Sequence, residues 1–319
     1  MPHIVVAGKL HHAGLDLLHA EPGVTFDHIE EITEPSYQPY LARADAVIIR
    51  TQPMSAASIA LAPNLQVVSR HGVGYDAVDV AALNARKIPL CIVGDVNSVS
   101  VAEHAMMLIL ACAKRLIRAD GSVRSGPWSW RNRLEQSEVS GKCLLIMGYG
   151  RIGRHLARMA QGFGMQVTAY DPYLVAHGWP EGPVPSVASL AEGLAQADFV
   201  SVNLPKADRP ILGAAELAHL KYGGVLINTA RGGIIDEPAL AAALRSGQVG
   251  AAGLDVLDDE PPSPDHPLLH FDQVILTPHT AGLTREAAER MAISSVQNVL
   301  DHFAGTLDPA LIVNRNALT

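Results

Sequence analysis

Short runs of aliphatic and β-branched residues alternate with amphipathic stretches along this chain. In the first hundred residues, positions 4–7, 24–28, 46–50, 66–69 and 90–93 have the composition of buried strands, and 13–19, 38–43 and 78–85 carry helical spacing between them. Strands separated by helices pair in parallel, with the helices covering both faces of the sheet, so the first part is predicted to be α/β. A long helix is expected over 99–117. It is apolar on nearly every side except for Glu103 and His104 near its start and Lys114, Arg115 and Arg118 at its end, a pattern that demands burial, here between two domains.

Residues 119–139 differ in kind, with weak periodicity, many Arg and Ser, and Trp128 and Trp130. An arm packing on a second subunit and an ordinary surface connection both fit that composition. Alternation then resumes. Strands are expected at 142–148, 166–170, 199–203, 224–228, 250–255 and 274–276, with helices at 152–163, 189–196, 214–220 and 237–246. Six strands with crossover helices predict a doubly wound, parallel-sheet dinucleotide fold. A last helix, 285–303, is expected to return to the first domain, giving one domain from 1–98 plus 285–319 and another from 99–284.

Composition narrows the function class. A chain of 319 residues, 48% hydrophobic and 18% charged, is long enough for two cores and too apolar for extended disorder. A net charge of -8 without basic clusters argues against nucleic-acid binding. Cys91, Cys112 and Cys143 are scattered, which suits reduced thiols in a cytoplasmic protein, and no His/Cys spacing suggests a metal site. The N-terminus runs straight into a strand without signal-peptide character. The longest apolar helical stretch, 105–113, falls short of the roughly 20 residues a bilayer requires, so no membrane association is expected.

The chemistry-bearing residues gather at predicted strand ends of the second domain. Gly148-Tyr149-Gly150-Arg151-Ile152-Gly153 lies between an apolar strand and a helix whose Ile152, Leu156 and Met159 form a stripe. In that setting the first glycine allows the tight turn and the second lets the backbone approach a diphosphate. The third permits close helix–strand packing, leaving the diphosphate on the helix N-terminus. Asp171, 18 positions beyond Gly153, ends the next strand, where a carboxylate accepts from both ribose hydroxyls and repels a 2′-phosphate. NAD(H) is therefore expected in preference to NADP(H), although Asp171-Pro172 also has the form of a turn starter.

Three further segments each follow a predicted strand: Asn228-Thr229-Ala230-Arg231, Asp255 with Asp258-Asp259-Glu260-Pro261, and Thr277-Pro278-His279-Thr280-Ala281-Gly282. One sheet edge would collect a cation, a carboxylate and an imidazole. Hydride transfer to a ketone needs a proton donor for the developing alkoxide and a fixed positive charge, roles open to His279 and Arg231. Glu260, if it touches His279, would orient the ring and favour the imidazolium.

On these motifs the chain resembles the D-isomer-specific 2-hydroxyacid dehydrogenases, a group that includes phosphoglycerate, glycerate and hydroxypyruvate-reducing enzymes. The similarity runs nearly end to end. It implies a Rossmann cofactor domain inserted into a smaller flavodoxin-like α/β substrate domain, a cleft between them that closes on ligand, and a homodimer. By resemblance Arg231, Glu260 and His279 form the catalytic set and Asp255 holds the nicotinamide carboxamide. Asn203, Leu204, Pro205, Thr229, Ala230 and Gly282 line the cofactor. The loop Ser69-Arg70-His71-Gly72-Val73-Gly74 resembles the family loop that binds the substrate carboxylate, which assigns that task to the amides of Val73 and Gly74. Arg50 is either an assisting cation or a surface arginine, and His71 has no assigned role. No segment resembles the C-terminal regulatory domain of longer phosphoglycerate dehydrogenases.

The resulting expectation is an enzyme interconverting a 2-oxo acid and a D-2-hydroxy acid. Two rivals share the scaffold. Formate and phosphite dehydrogenases are one, although formate enzymes carry Gln where Glu260 stands. An NAD(H)-sensing, corepressor-like binding protein is the other.

Overall fold

Both sets of apolar runs become parallel sheets in the computed structural model, which describes residues 1–318. The chain divides into one unit of Met1–Asn97 with residues from Leu283 onward, and a second unit, Ser98–Gly282. The first unit contains β1 (His3–Ala7), α1 (His12–Ala20), β2 (Thr25–Ile29), α2 (Glu34–Tyr37), β3 (Ala46–Ile49), α3 (Ala56–Ala60), β4 (Val67–Arg70), α4 (Val80–Ala85) and β5 (Leu90–Cys91). Its strand order, β2-β1-β3-β4-β5, is the flavodoxin-like order. Successive side chains leave a strand on opposite faces. Val5, Val47, Ile49 and Val68 therefore pack with Tyr37, Leu41 and Ile59, while Ile4, Val6 and Ile48 pack with Leu18 and with Ala292, Val296 and Val299 near the C-terminus.

Differences from the sequence expectation have local causes. Residues 38–43 form a 3-10 turn in which Pro39 supplies no amide proton. Helix α3, unforeseen, is short and capped by the Ser55 hydroxyl accepting from Ser58 N. Strand β5 stops early because the chain pairs with its own tail: Ile92 N donates to Leu311 O, Ile312 bridges Cys91 antiparallel, and Asn314 Oδ1 accepts from Leu90 N at 2.8 Å.

In the second unit, α5 (Ser98–Ala113) and α6 (Leu116–Arg124) precede the sheet. Then follow β6 (Cys143–Met147), α7 (Arg151–Gly162), β7 (Gln166–Tyr170), α8 (Pro172–His177), α9 (Leu190–Gln196), β8 (Phe199–Val202), α10 (Ala214–Leu217), β9 (Gly224–Asn228), α11 (Glu237–Ser246), β10 (Val249–Leu254) and β11 (Val274–Leu276). Helix α12 (Arg285–Ala304) returns to the first unit, where it packs against α1. The order β11-β10-β9-β8-β6-β7, with Ser186 bridging Ala169 outside β7, is the doubly wound arrangement in which the third strand is reduced to one bridge. The chain crosses over between β7 and β8, so the loops after β6 and β8 flank the switch point.

The long helix expected over 99–117 is two helices. Arg115 adopts a left-handed backbone (φ 48) and its Nη1 donates to Gly250 O at 2.9 Å, ending α5 and re-aiming the chain. The apolar surface of α5 is satisfied inside the second unit, where Ala105, Leu108, Ile109 and Cys112 pack with Leu144 and Ile146. Residues 119–139 are more regular than their composition indicated, comprising most of α6 and a 3-10 turn, Trp128–Arg133. Trp130 is buried, with Arg118 lying 6.0 Å from its ring centroid, whereas Trp128 is exposed. No residue of α6 is buried, and its Leu116, Ile117 and Val123 face solvent. Among the described residues no helix is long and apolar enough to cross a membrane.

Candidate active site

The glycine turn leaves β6, buried from Leu144 onward, and enters α7 with Gly150 as its N-cap. Each glycine has a distinct steric reason. A Cβ on Gly148, which sits at φ 90, would lie 2.5 Å from Asn203 O, and one on Gly153 would lie 2.3 Å from Gly148 O, so neither position tolerates a side chain. Gly150 opens onto empty space, as a backbone approached by a diphosphate requires. Tyr149 stacks on Trp179 (centroids 5.3 Å apart), while Arg151 and Ile152 begin α7.

Asp171 both starts a helix and reaches the glycine turn. Its Oδ1 accepts from Leu174 N at 3.1 Å, capping α8, and its Oδ2 accepts from Tyr149 N at 2.9 Å. Each oxygen retains a lone pair, enough for two hydroxyl donors. At the neighbouring strand end, Asn203 Oδ1 is buried without a hydrogen-bond partner, and so is Thr229 Oγ1 at the end of β9. Buried polar atoms are rarely left unpaired. Two orphans beside an open glycine cradle fit a polar ligand of dinucleotide type along this edge. Leu204 packs beside Gly148, Pro205 is exposed, and Gly282 is the last residue of this unit.

The three later segments each fold for an identifiable reason. Asn228 knots the first, accepting from Ala230 N (3.0 Å) and donating to Arg231 O (2.9 Å), and Arg231 Nη1 donates to Ala230 O (2.7 Å). Asp255 knots the last. It is 1% exposed and accepts from Thr277 Oγ1 (2.5 Å), Thr280 N (2.9 Å) and Ala281 N (2.8 Å), leaving Oδ2 with capacity for a further donor. His279 takes a left-handed backbone (φ 52), held by its amide donating to Asp255 O at 2.9 Å and Thr277 O at 3.0 Å. Such a conformation costs about 1 kcal/mol for a non-glycine residue and persists where surrounding contacts dictate it.

The middle segment delivers Glu260 to this ring. Glu260 Oε2 lies 2.7 Å from His279 Nδ1 and Oε1 accepts from Leu257 N at 3.2 Å. Partial burial pushes the Glu260 carboxyl up, but the hydrogen bond and charge of His279, the Leu257 amide and the Arg231 charge outweigh it and hold the group below its ordinary range. An ionised carboxylate can only accept, so Nδ1 carries a proton and Nε2 is the atom left to give or take one. Arg231, Glu260 and His279 are thereby gathered at the carboxyl edge of one sheet.

In the first unit, Val73 and Gly74 follow β4, with Val73 packed against Val93, Ala287 and Met291. Arg50 follows β3 with its Cβ against Gly8, where any side chain would meet it at 2.8 Å. His71 is 5% exposed and both ring nitrogens lack hydrogen-bond partners. Burial, with Arg50 and Arg70 nearby, lowers its pKa to about 4. Two polar groups went unassigned in the sequence. His104 Nε2 lies 2.9 Å from Thr277 Oγ1, whose proton is committed to Asp255, so the imidazole donates. Its position on an otherwise apolar helix was the available signal. Glu237, which binds Asp258 N and His266, carried none beyond the start of a helix.

Comparison with known proteins is consistent across three levels. Residues 106–281 match the family described as D-isomer specific 2-hydroxyacid dehydrogenase, NAD binding domain. A D-3-phosphoglycerate dehydrogenase of Mycobacterium leprae is 40% identical over 269 residues, covering 83% of this chain and 50% of the relative. A glyoxylate reductase of Korarchaeum cryptofilum is 33% identical over 98% of this chain and 96% of its own. The chain thus spans about half the length of the phosphoglycerate dehydrogenases it matches and nearly all of that reductase. A crystal structure of a Thermus thermophilus protein superposes with a TM-score of 0.88 at 32% identity, covering 96% of this chain and 98% of that one. An NADPH-dependent glyoxylate/hydroxypyruvate reductase of Sinorhizobium meliloti superposes at 0.83 with 29% identity, covering 95% of each chain.

Proposed function

This chain belongs to the D-isomer specific 2-hydroxyacid dehydrogenase family, and from that premise we propose that it interconverts a 2-oxo acid and a D-2-hydroxy acid using a nicotinamide cofactor. The observation that carries the reading is the 2.7 Å contact between Glu260 Oε2 and His279 Nδ1, set beside Arg231 on the same sheet edge as the glycine cradle. A nicotinamide cofactor held along this edge would supply the hydride chemistry. The cradle from Gly148 to Gly153 holds the diphosphate, Asp171 the adenosine ribose, and Asn203, Leu204, Pro205, Thr229, Ala230 and Gly282 line the cofactor. Asp255 receives the carboxamide.

Glu260 orients the ring of His279, whose Nε2 gives a proton to the carbonyl oxygen in reduction and recovers it in oxidation. Arg231 neutralises the developing alkoxide and orients the acid group. The amides of Val73 and Gly74 bind the substrate carboxylate, with Arg50 as an assisting cation. The accepting capacity that Asp171 retains suits a free ribose diol and its negative charge repels a 2′-phosphate, which favours NAD(H) over NADP(H). The chain acts as a cytoplasmic homodimer in which the exposed apolar side chains of α6 meet a second copy.

Glyoxylate, hydroxypyruvate, pyruvate and bulkier 2-oxo acids with NADH form the direct test, with formate and phosphite plus NAD as contrasts. We expect turnover with at least one 2-oxo acid, and His279→Ala should lose about a thousandfold or more in kcat while NADH affinity stays within twofold. A variant with wild-type turnover removes His279 from the reaction. NADH binding without turnover on any acid would favour the sensor reading.

A further inference from the structure

Glu260 sits in an irregular, proline-rich segment, yet its carboxylate must stay within hydrogen-bond reach of His279. A second carboxylate buried beneath that segment ties down both of its ends. Glu237, at the first turn of α11, is 9% exposed. Its Oε1 accepts from Asp258 N at 2.9 Å, and its Oε2 accepts from His266 Nε2 at 2.9 Å. The His266 ring is itself oriented, because Nδ1 accepts from Leu268 N at 3.4 Å and so Nε2 must carry the proton. Leu268 is 1% exposed, which anchors the far end of the segment in the core.

The near end is fastened to the Arg231 loop as well. Asp258 Oδ1 accepts from Gly233 N at 2.5 Å, and Gly232 approaches the segment so closely that a Cβ would stand 2.1 Å from Leu257 O. The Glu237 carboxylate therefore closes the loop 258–266 onto itself, while Asp258 and the close approach of Gly232 register that loop against the strand end that carries Arg231.

We infer that Glu237 is a positioning residue, with His266 as its donor: it clasps both ends of the segment bearing Glu260 and so sets the Glu260–His279 contact. The inference rests on the proposed acid/base role of that pair. Glutamine at position 237 keeps the side-chain volume but offers one acceptor oxygen where two N–H donors, a backbone amide and an imidazole, converge, so one end of the clasp opens.

The experiment compares Glu237→Gln, His266→Gln, Glu260→Gln and the double variant Glu237→Gln/Glu260→Gln in the full chain. It reads glyoxylate reduction by NADH across pH, NADH binding by fluorescence, and thermal unfolding. Loosening Glu260 should lower kcat roughly tenfold in Glu237→Gln and by a smaller factor in His266→Gln, because misplacement of a reacting group by about 1 Å is costly. NADH affinity should stay within twofold. The kcat–pH profile of Glu237→Gln should depart from wild type in the same direction as that of Glu260→Gln, because both variants loosen the same partner of His279. The double variant should be no slower than Glu260→Gln alone, since Glu237 acts only through it.

A lowered melting temperature with kcat and both pH limbs at wild-type values would overturn the inference and leave Glu237 a structural residue. Additive losses in the double variant would overturn it too. If Glu260→Gln itself has a wild-type rate and profile, the underlying reading of the pair fails instead. Should Glu237→Gln not fold, His266→Gln decides by the same readouts.

Discussion

Gly232 offers a direct test of how tightly the Arg231 loop and the Glu260 segment depend on each other. Replacing it with alanine places a methyl carbon 2.1 Å from Leu257 O and 2.5 Å from Leu257 C, both backbone atoms that no side-chain rotation can move aside. A carbon and a carbonyl oxygen settle at about 3.3 Å, so the two loops must separate by roughly 1 Å. The strain falls between Arg231 and the segment whose Leu257 amide and Asp258 carboxylate position Glu260. A displacement of that size at a reacting geometry corresponds to about a hundredfold in rate. The glycine cradle lies after β6, away from this contact, and should be untouched. Steady-state reduction of a 2-oxo acid should therefore show kcat down about a hundredfold for Gly232→Ala, with the NADH dissociation constant within twofold of wild type. A correctly folded variant retaining more than half of the wild-type kcat would refute the idea that this close approach sets the catalytic geometry.

The other predictions concern stability, cofactor and assembly. His71 is buried neutral with its pKa lowered to about 4, so the unfolded chain binds its proton first as pH falls and stability declines below about 6.5. By pH 5 the loss from this group is about 2 kcal/mol. Denaturant titrations at pH 7.5 and 5 should show a pH difference smaller by that amount in His71→Gln, and an equal difference in both proteins would remove His71 as its source. Asp171→Ala should narrow the preference for NAD(H) over NADP(H) by tenfold or more in Kd. It should also lower thermal stability by about 1 kcal/mol through loss of the α8 cap, and an unchanged cofactor ratio would count against the ribose assignment. Sedimentation velocity should report a mass near twice 33.9 kDa that falls to the single-chain value in Ile117→Glu, whereas a wild-type monomer would refute the dimer.

Legibility in the sequence tracked where the determining forces act. Strands β7, β9 and β11 lie where the sequence placed them: β9 is buried throughout and reads as a continuous apolar run, whereas the edge strands β7 and β11 were found from short β-branched runs between turns. The glycines were legible because their spacing falls between an apolar strand and a helix; the demand at Gly153 is local, against Gly148 O, although that at Gly148 comes from Asn203 O on a neighbouring strand end. By contrast, the break at Arg115 depends on a hydrogen bond to Gly250 O, far along the chain, and arginine is a good helix former by intrinsic preference. Strand β5 was overestimated because its partners lie in the C-terminal tail. That Arg231, Glu260 and His279 gather at one sheet edge was legible from their places after predicted strands. The clasp of Glu237 was not, since Asp236-Glu237-Pro238 has the ordinary form of a helix start, and Asp236 does cap α11 by accepting from Ala239 N.

The tail pairing has a consequence for how the chain is made. One face of the first sheet, with Ile4, Val6 and Ile48, is covered by Ala292, Val296 and Val299 of α12, and the edge strand is finished by Ile312 and Asn314. A ribosome releases all of residues 98–282 before it releases those partners. The inserted unit is contiguous and can complete its own core during synthesis, while the earlier-made strands wait with an apolar face exposed. Birth order and folding order are thus reversed between the two units, and the first residues made are among the last to be sealed.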